Sequence, residues 1–252
     1  MAQRTSTVIA ARDAAFAAMS EGFRLVDLTD VLGAETILWP GAPPLGIVDA
    51  VTHDAHGYHA RVFTTFEHAG THFDAPEHFV PGGADTANIS IDDLVVPAVV
   101  IDISRKAASD PNAVVEPDDV VAFEKEHGTI PAGSAALMLS GWARRKSSKL
   151  SYIGSEGTTD LKFPGFGVEA ARMLVDRGVV GLGVDTLGID PGDKPDFPVH
   201  RTVSHPAGLW HLENLINLEQ LPATGGVIVV GVPRIAGGTG FPTRVFAFVP
   251  KQ

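Results

Sequence analysis

Apolar positions recur at two different spacings along the chain. Phe23, Leu25 and Leu28 alternate with polar neighbours, which predicts a strand over Phe23–Leu28. Tyr58–Phe66 is rich in aromatic and β-branched residues and predicts another. Ala98–Ile103, Ala135–Leu139 and Val179–Val184 are short apolar runs of the kind buried on both faces of a sheet. Val227–Val232 and Arg244–Val249 predict two late strands, separated by the turn-forming Gly237–Gly240. A helical spacing appears in Thr7–Met19, through Val8, Ala11, Ala15, Phe16 and Met19. Pro117–Glu126 reads as a second helix, with Glu116, Asp118 and Asp119 at the end where the helix dipole favours acids. Val168–Arg177 reads as a third, closed by Gly178. Strands mixed with helices, with no internal repeat and no linker, predict one α/β domain with a mixed sheet over residues 1–252. Ser147–Phe163 and Asp190–Pro198 read as irregular, and the Arg144, Arg145, Lys146, Lys149 cluster as a solvated loop.

Composition narrows the function classes. The formal net charge is −11, which argues against nucleic acid and anionic membranes as partners. There is no cysteine, so neither disulfides nor thiolate ligands are available. Any transition metal must be held by His, Asp, Glu and water, a donor set that suits zinc, manganese or iron. No apolar run reaches the length of a membrane span, and no secretory leader precedes the first element; a cytoplasmic protein is the expectation. Gly181, Gly183 and Gly188 miss the dinucleotide fingerprint, so no nucleotide cofactor is expected.

The densest chemistry lies in His68-Ala69-Gly70-Thr71-His72-Phe73-Asp74-Ala75-Pro76-Glu77-His78. His68 and His72 are four apart, as one helical turn would need, while His72 and Asp74 are two apart, as a strand would need. A strand ending in an irregular turn satisfies both. His68, His72 and Asp74 make three candidate metal ligands, and many catalytic sites stop at three and leave a place for water. An ion there makes hydroxide available at neutral pH. His78 is set apart from this triad, which suits a general acid or base better than a ligand; orienting a ligand is its other reading.

A second cluster holds His200, His205, His211 and Glu213, at spacings that fix no geometry. Trp39, beside Pro40-Gly41, reads as either a pocket wall or a packing plug. His53, His56 and His59 lie in a polar, glycine-containing stretch without a partner acid at ligand spacing and read as surface residues.

The motif H-x-G-T-H-x-D-x-P-x-H resembles that of the cyclase-like metal-dependent hydrolase family, which includes bacterial kynurenine formamidase and isatin hydrolase. His68, Gly70, Thr71, His72, Asp74, Pro76 and His78 match each fixed position. The likeness extends from Trp39-Pro40-Gly41, through Ser140-Gly141-Trp142 and Gly183-Val184-Asp185-Thr186, to His200-Arg201 and Leu212-Glu213-Asn214-Leu215. It implies a swivelling β/β/α fold, with His68, His72 and Asp74 on the metal and His78 as the catalytic histidine. In the formamidase branch two zinc ions are implied, with Asp74 bridging and His200 and Glu213 completing the second site. Ser204–Trp210 looks more like the isatin hydrolase branch, for which one manganese is implied. Trp39, Phe66, His205 and Trp210 are the residues expected around the substrate. A homodimer or homotetramer with the site near a subunit interface is implied as well. The expected activity is hydrolysis of a small amide, either an isatin-like cyclic amide or an N-formylkynurenine-like arylformamide. The alternative is a metal-dependent cyclase or dehydratase acting on a small carbonyl compound.

Overall fold

The computed structural model describes residue 17 and residues 20–251. The helix expected over 7–19 lies outside the described residues except at position 17. The strands are β1 (Phe23–Asp27), β2 (Gly46–Val51), β3 (Ala60–Thr64), β4 (His72–Asp74), β5 (Val95–Asp102), β6 (Val114–Val115), β7 (Ala135–Leu139), β8 (Gly165–Phe166), β9 (Gly181–Val184), β10 (Trp210–Glu213), β11 (Gly226–Gly231), β12 (Gly240–Pro242) and β13 (Arg244–Pro250). Nine of them form one mixed sheet in the order β1-β13-β11-β5-β7-β9-β10-β4-β12. Its centre, β5-β7-β9-β10, is parallel, and both flanks are antiparallel.

Side-chain alternation on the central strands divides the core in two. Ala136 and Met138 of β7 and Leu182 and Val184 of β9 face one cluster, shared with helices Pro117–His127 and Val168–Asp176. Ala135 and Leu137 face the other, which also takes Val26, Phe73, Ile228, Val245 and Ala247. The second cluster therefore gathers strands from both ends of the sheet, as a curled sheet does. Gly183 sits on that inner face because a Cβ there would lie 2.5 Å from Leu137 Cδ2.

One strand was missed and two local expectations are corrected. β2, which the pattern of apolar residues did not reveal, pairs with β3 as a separate two-stranded hairpin. Its residues are largely exposed, so no buried face imposes an apolar alternation on it. Residues 147–163 are not wholly irregular, since Lys149–Ile153 is a short helix capped by Ser148 that buries Tyr152 and Ile153. Lys146 is no solvated loop residue: its Nζ donates to Asp30 Oδ2 and to the Asn214 carbonyl, both at 3.0 Å, with only 16% of the side chain exposed.

Candidate metal centre and its cavity

Strand β4 carries the motif into the sheet. As an extended segment it turns His72 and Asp74 to one face and Phe73 into the inner core, the parity that the two-residue spacing predicts. β4 lies between β12 and β10, and the register sets His72 opposite Glu213 and Asp74 opposite His211. Parity on β10 then sends His211 and Glu213 toward the site and Trp210 and Leu212 into the inner core. Trp210 is accordingly not a wall of the substrate cavity. It is 1% exposed, packs against Phe73 and the open Cα of Gly181, and donates its indole N–H to the Asp93 carbonyl.

Backbone and side-chain partners aim the histidines. Gly70 adopts φ +62, a left-handed conformation that glycine accepts without strain, and its carbonyl takes the His72 Nδ1 hydrogen at 2.8 Å. His72 Nε2 is thereby directed into the site. It lies 3.2 Å from Asp74 Oδ1 and 3.4 Å from Glu213 Oε2, and it makes no aligned hydrogen bond among the described residues. His68 Nδ1 meets Asp74 Oδ1 at 2.5 Å, and its Nε2 lies 3.1 Å from Thr239 Oγ1, whose hydroxyl is bound to Glu67 Oε2. His200, at the start of the π-helical turn His200–Ser204, gives its Nδ1 hydrogen to Asp190 Oδ2 at 2.6 Å. Its Nε2 is 3.4 Å from Glu213 Oε1 and 3.8 Å from Asp74 Oδ2. Asp190 was missed in the sequence, where its only trace is an acid in a loop rich in proline and glycine just before His200.

Asp74 is thus common to three groups that can hold a metal: His72, Asp74 and Glu213; His68, Asp74 and His78; and Asp74, His200, His205 and His211. Within each group the donor atoms lie within 4.8 Å of one another. The electrostatics fit a cation. Burial opposes charge on Asp74, yet His72 and His68 beside it hold its carboxyl well below the ordinary range. Burial also pulls His72 down, but the Asp74 and Glu213 carboxylates outweigh it and lift the imidazole from 6.5 to about 10. His200 is raised for the same reason, against burial, by Asp190, Asp74 and Glu213. Two buried carboxylates therefore draw protons onto the very nitrogens that would serve as ligands, as expected where a divalent ion belongs.

His78 differs. Its ring stacks on His68 with centroids 3.8 Å apart, and burial above all, with the His200 ring nearby, lowers it to about 4. It is a neutral imidazole at the edge of the donor set, close enough to serve as either base or ligand.

Above these groups lies a cavity of about 220 Å³. Trp39 and Phe66, both expected near the substrate, line it; His205 does not, and sits buried behind His200 with ring centroids 5.3 Å apart. Phe79 and Phe197 complete the aromatic walls and were missed, although Phe79 directly follows His78. Phe197 holds φ +52, uncommon for a bulky residue, and its ring meets those of Trp39 and Phe79 at 5.5 and 5.6 Å. Among the described residues, no lysine or arginine lines this cavity. His53, His56 and His59 are exposed on the β2–β3 hairpin, away from the cavity lining.

Known proteins can now be compared with this geometry. The chain is 32% identical over 250 residues to the isatin hydrolase of Roseibium aggregatum, covering 92% of this chain and 94% of that one. It is 27% identical over 223 residues to the kynurenine formamidase of Salinibacter ruber, covering 87% and 95%. A crystal structure of an isatin hydrolase bound to the product analogue thioisatinate superposes with a TM-score of 0.86 at 30% identity, covering 100% of both chains. The Cyclase family model matches residues 26–191, and with these relatives it shows that the chain belongs to the cyclase family of α/β proteins, as its motif led one to expect.

Proposed function

We propose that this protein is a metal-dependent hydrolase that opens or cleaves a small aryl amide, with an isatin-like cyclic amide as the favoured substrate. One observation carries the reading: an unpartnered, buried His72 Nε2 points between two carboxylates at the floor of an aromatic-walled cavity. His68, His72 and Asp74 hold a divalent ion, zinc or manganese, with His200 and Glu213 as further donors. A bound ion supplies Lewis acidity toward the amide carbonyl and lowers the pKa of a water from near 16 to about 7.

The chain's own residues do the rest. Trp39, Phe66, Phe79 and Phe197 grip the aryl ring and exclude bulk water from the carbonyl. His78, neutral at pH 7, would take a proton from the attacking water on its unprotonated ring nitrogen and return it to the departing amide nitrogen. The absence of a basic residue from the described cavity lining favours a neutral amide over N-formylkynurenine, whose free amino acid carries both an anionic and a cationic group. The names of the relatives on both branches support amide hydrolysis as the reaction class.

We also propose that the chain acts as a homodimer or homotetramer. The β2–β3 hairpin leaves Ile47, Val48, Val62 and Phe63 46–66% exposed, and a lone two-stranded hairpin is marginal in water unless something covers it. It leads directly into Phe66 at the cavity wall, which places a covered hairpin close to the site.

The test is turnover by the metal-replete protein on isatin and N-formylkynurenine in parallel. Isatin should be opened with a higher kcat/KM. A preference for N-formylkynurenine would overturn the neutral-substrate assignment, and no turnover on any cyclic amide, formamide or ester would sink the hydrolase reading.

A further inference from the structure

Lys146 takes no part in the proposed reaction, yet it closes a ring of hydrogen bonds behind the candidate ligands. The last registered pair of β4 and β10 is His72 with Glu213. One step further, Asn214 leaves the strand. It holds φ +59, in the left-handed region, and gives its N–H to the Thr186 carbonyl at 2.8 Å. Its own carbonyl is taken by two side chains, the Thr71 hydroxyl at 2.8 Å and the Lys146 ammonium at 3.0 Å. A carbonyl oxygen has two lone pairs, so this one is fully used. The ring closes on Asp30, whose N–H donates to Thr71 Oγ1 at 2.9 Å and whose Oδ2 accepts from Lys146 at 3.0 Å.

Two members of this ring adjoin the site in sequence: Thr71 precedes His72, and Asn214 follows Glu213. Asp30 heads a segment that packs over Gly70, where a Cβ would lie 3.1 Å from Leu32 Cδ1 and 3.4 Å from Thr36 Cγ2. The Gly70 carbonyl in turn aims His72. Such a tie has a physical reason. β4 is only three residues long, and Asp74 and Glu213 bring like charges to His72 Nε2 from two facing strands. A charged donor holds a carbonyl more strongly than a neutral one. Lys146 lies outside the substrate cavity, in a separate cavity of about 400 Å³ that it lines with Asp30, Gly70 and Asn214. We propose that Lys146 is a positioning residue for the metal centre: it ties the Asn214 carbonyl to Asp30 and so fixes His72 against Glu213, touching neither ion nor substrate. This assignment rests on the metal-dependent reading above and names a residue that sets how tightly the ion is held.

The test is an optical titration of the full-length, metal-stripped protein with cobalt(II), whose absorption bands report the ligand geometry around the ion. Lys146→Met keeps the packing of the stem and removes the donor. Lys146→Ala also opens room beside the second cavity for an added alkylammonium. Both variants should bind cobalt about 10–100-fold more weakly than the unaltered protein, the range for groups that orient a metal ligand, and with shifted bands. Ethylammonium should restore affinity and bands in Lys146→Ala, whereas tetramethylammonium, a cation without an N–H, should not. Unchanged affinity in the variants overturns the proposal, as does a loss that ethylammonium leaves in place. If Lys146→Ala does not fold, Lys146→Met decides by its affinity and bands. Failure of both to fold would make Lys146 a folding residue and overturn the assignment. An unaltered protein that binds no cobalt would overturn the metal-dependent reading itself, which separates the two failures.

Discussion

His72 and Glu213 sit directly opposite each other across the β4–β10 pair, with Nε2 and Oε2 3.4 Å apart. A register shift of one residue would set His72 against Leu212 or Asn214 in place of the carboxylate, because strand parity turns each neighbour to the other face. Substituting Glu213 by Gln keeps the shape and removes the charge. Metal affinity should fall about 10–100-fold, the range for groups that support a ligand histidine, or further if Glu213 is itself a ligand. Equilibrium dialysis against a metal buffer checks this.

His78→Asn should lower kcat about 10²–10⁴-fold while leaving metal content unchanged. Because His78 titrates near 4, its protonation should not depress kcat/KM at neutral pH, and the loss should appear only as pH falls toward that value. Loss of metal in this variant would reassign His78 as a ligand.

The His72 shift makes a signed prediction for the metal-free protein. Its pKa rises from 6.5 to about 10 on folding, against burial and because of Asp74 and Glu213. The stabilisation is complete below pH 6.5 and is lost as pH rises toward 10. Metal-free protein should therefore melt at progressively lower temperature across that window, and His72→Gln should flatten the trend. Metal loading at pH 7.5 should release at least one proton per ion, measured by calorimetry in buffers of different ionisation enthalpy.

Trp39→Ala and Phe197→Ala remove cavity walls that grip the ring in both ground and transition states. KM should rise about 10-fold or more, with kcat little changed, given about 1.5–3 kcal/mol for burying such a side chain. Trp210→Ala should behave oppositely. It should destabilise the fold by about 3–5 kcal/mol, as a large core truncation does, and leave KM unchanged.

Much of this was legible in the chain because the physical signal was local. The two-residue spacing of His72 and Asp74 foretold their common face, and the apolar runs Ala98–Ile103 and Ala135–Leu139 foretold buried central strands. Trp210 was misplaced because β10 was not recognised; a strand reading with Glu213 facing the site would have sent Trp210 to the other side by parity. Asp190, Phe79 and Phe197 left little local signal, since what unites them with His200 and Trp39 is the return of a loop onto the sheet. The β2 strand was missed because its stabilising partner is β3 and not a buried face.

The most direct test of the account is isatin turnover in ¹⁸O-labelled water, by protein stripped with a chelator and then reconstituted with manganese or zinc. The account predicts no turnover without metal, recovery on reconstitution, and one labelled oxygen in the new carboxylate. Turnover that survives full metal removal, or a product formed without labelled oxygen, would contradict a metal-dependent hydrolase.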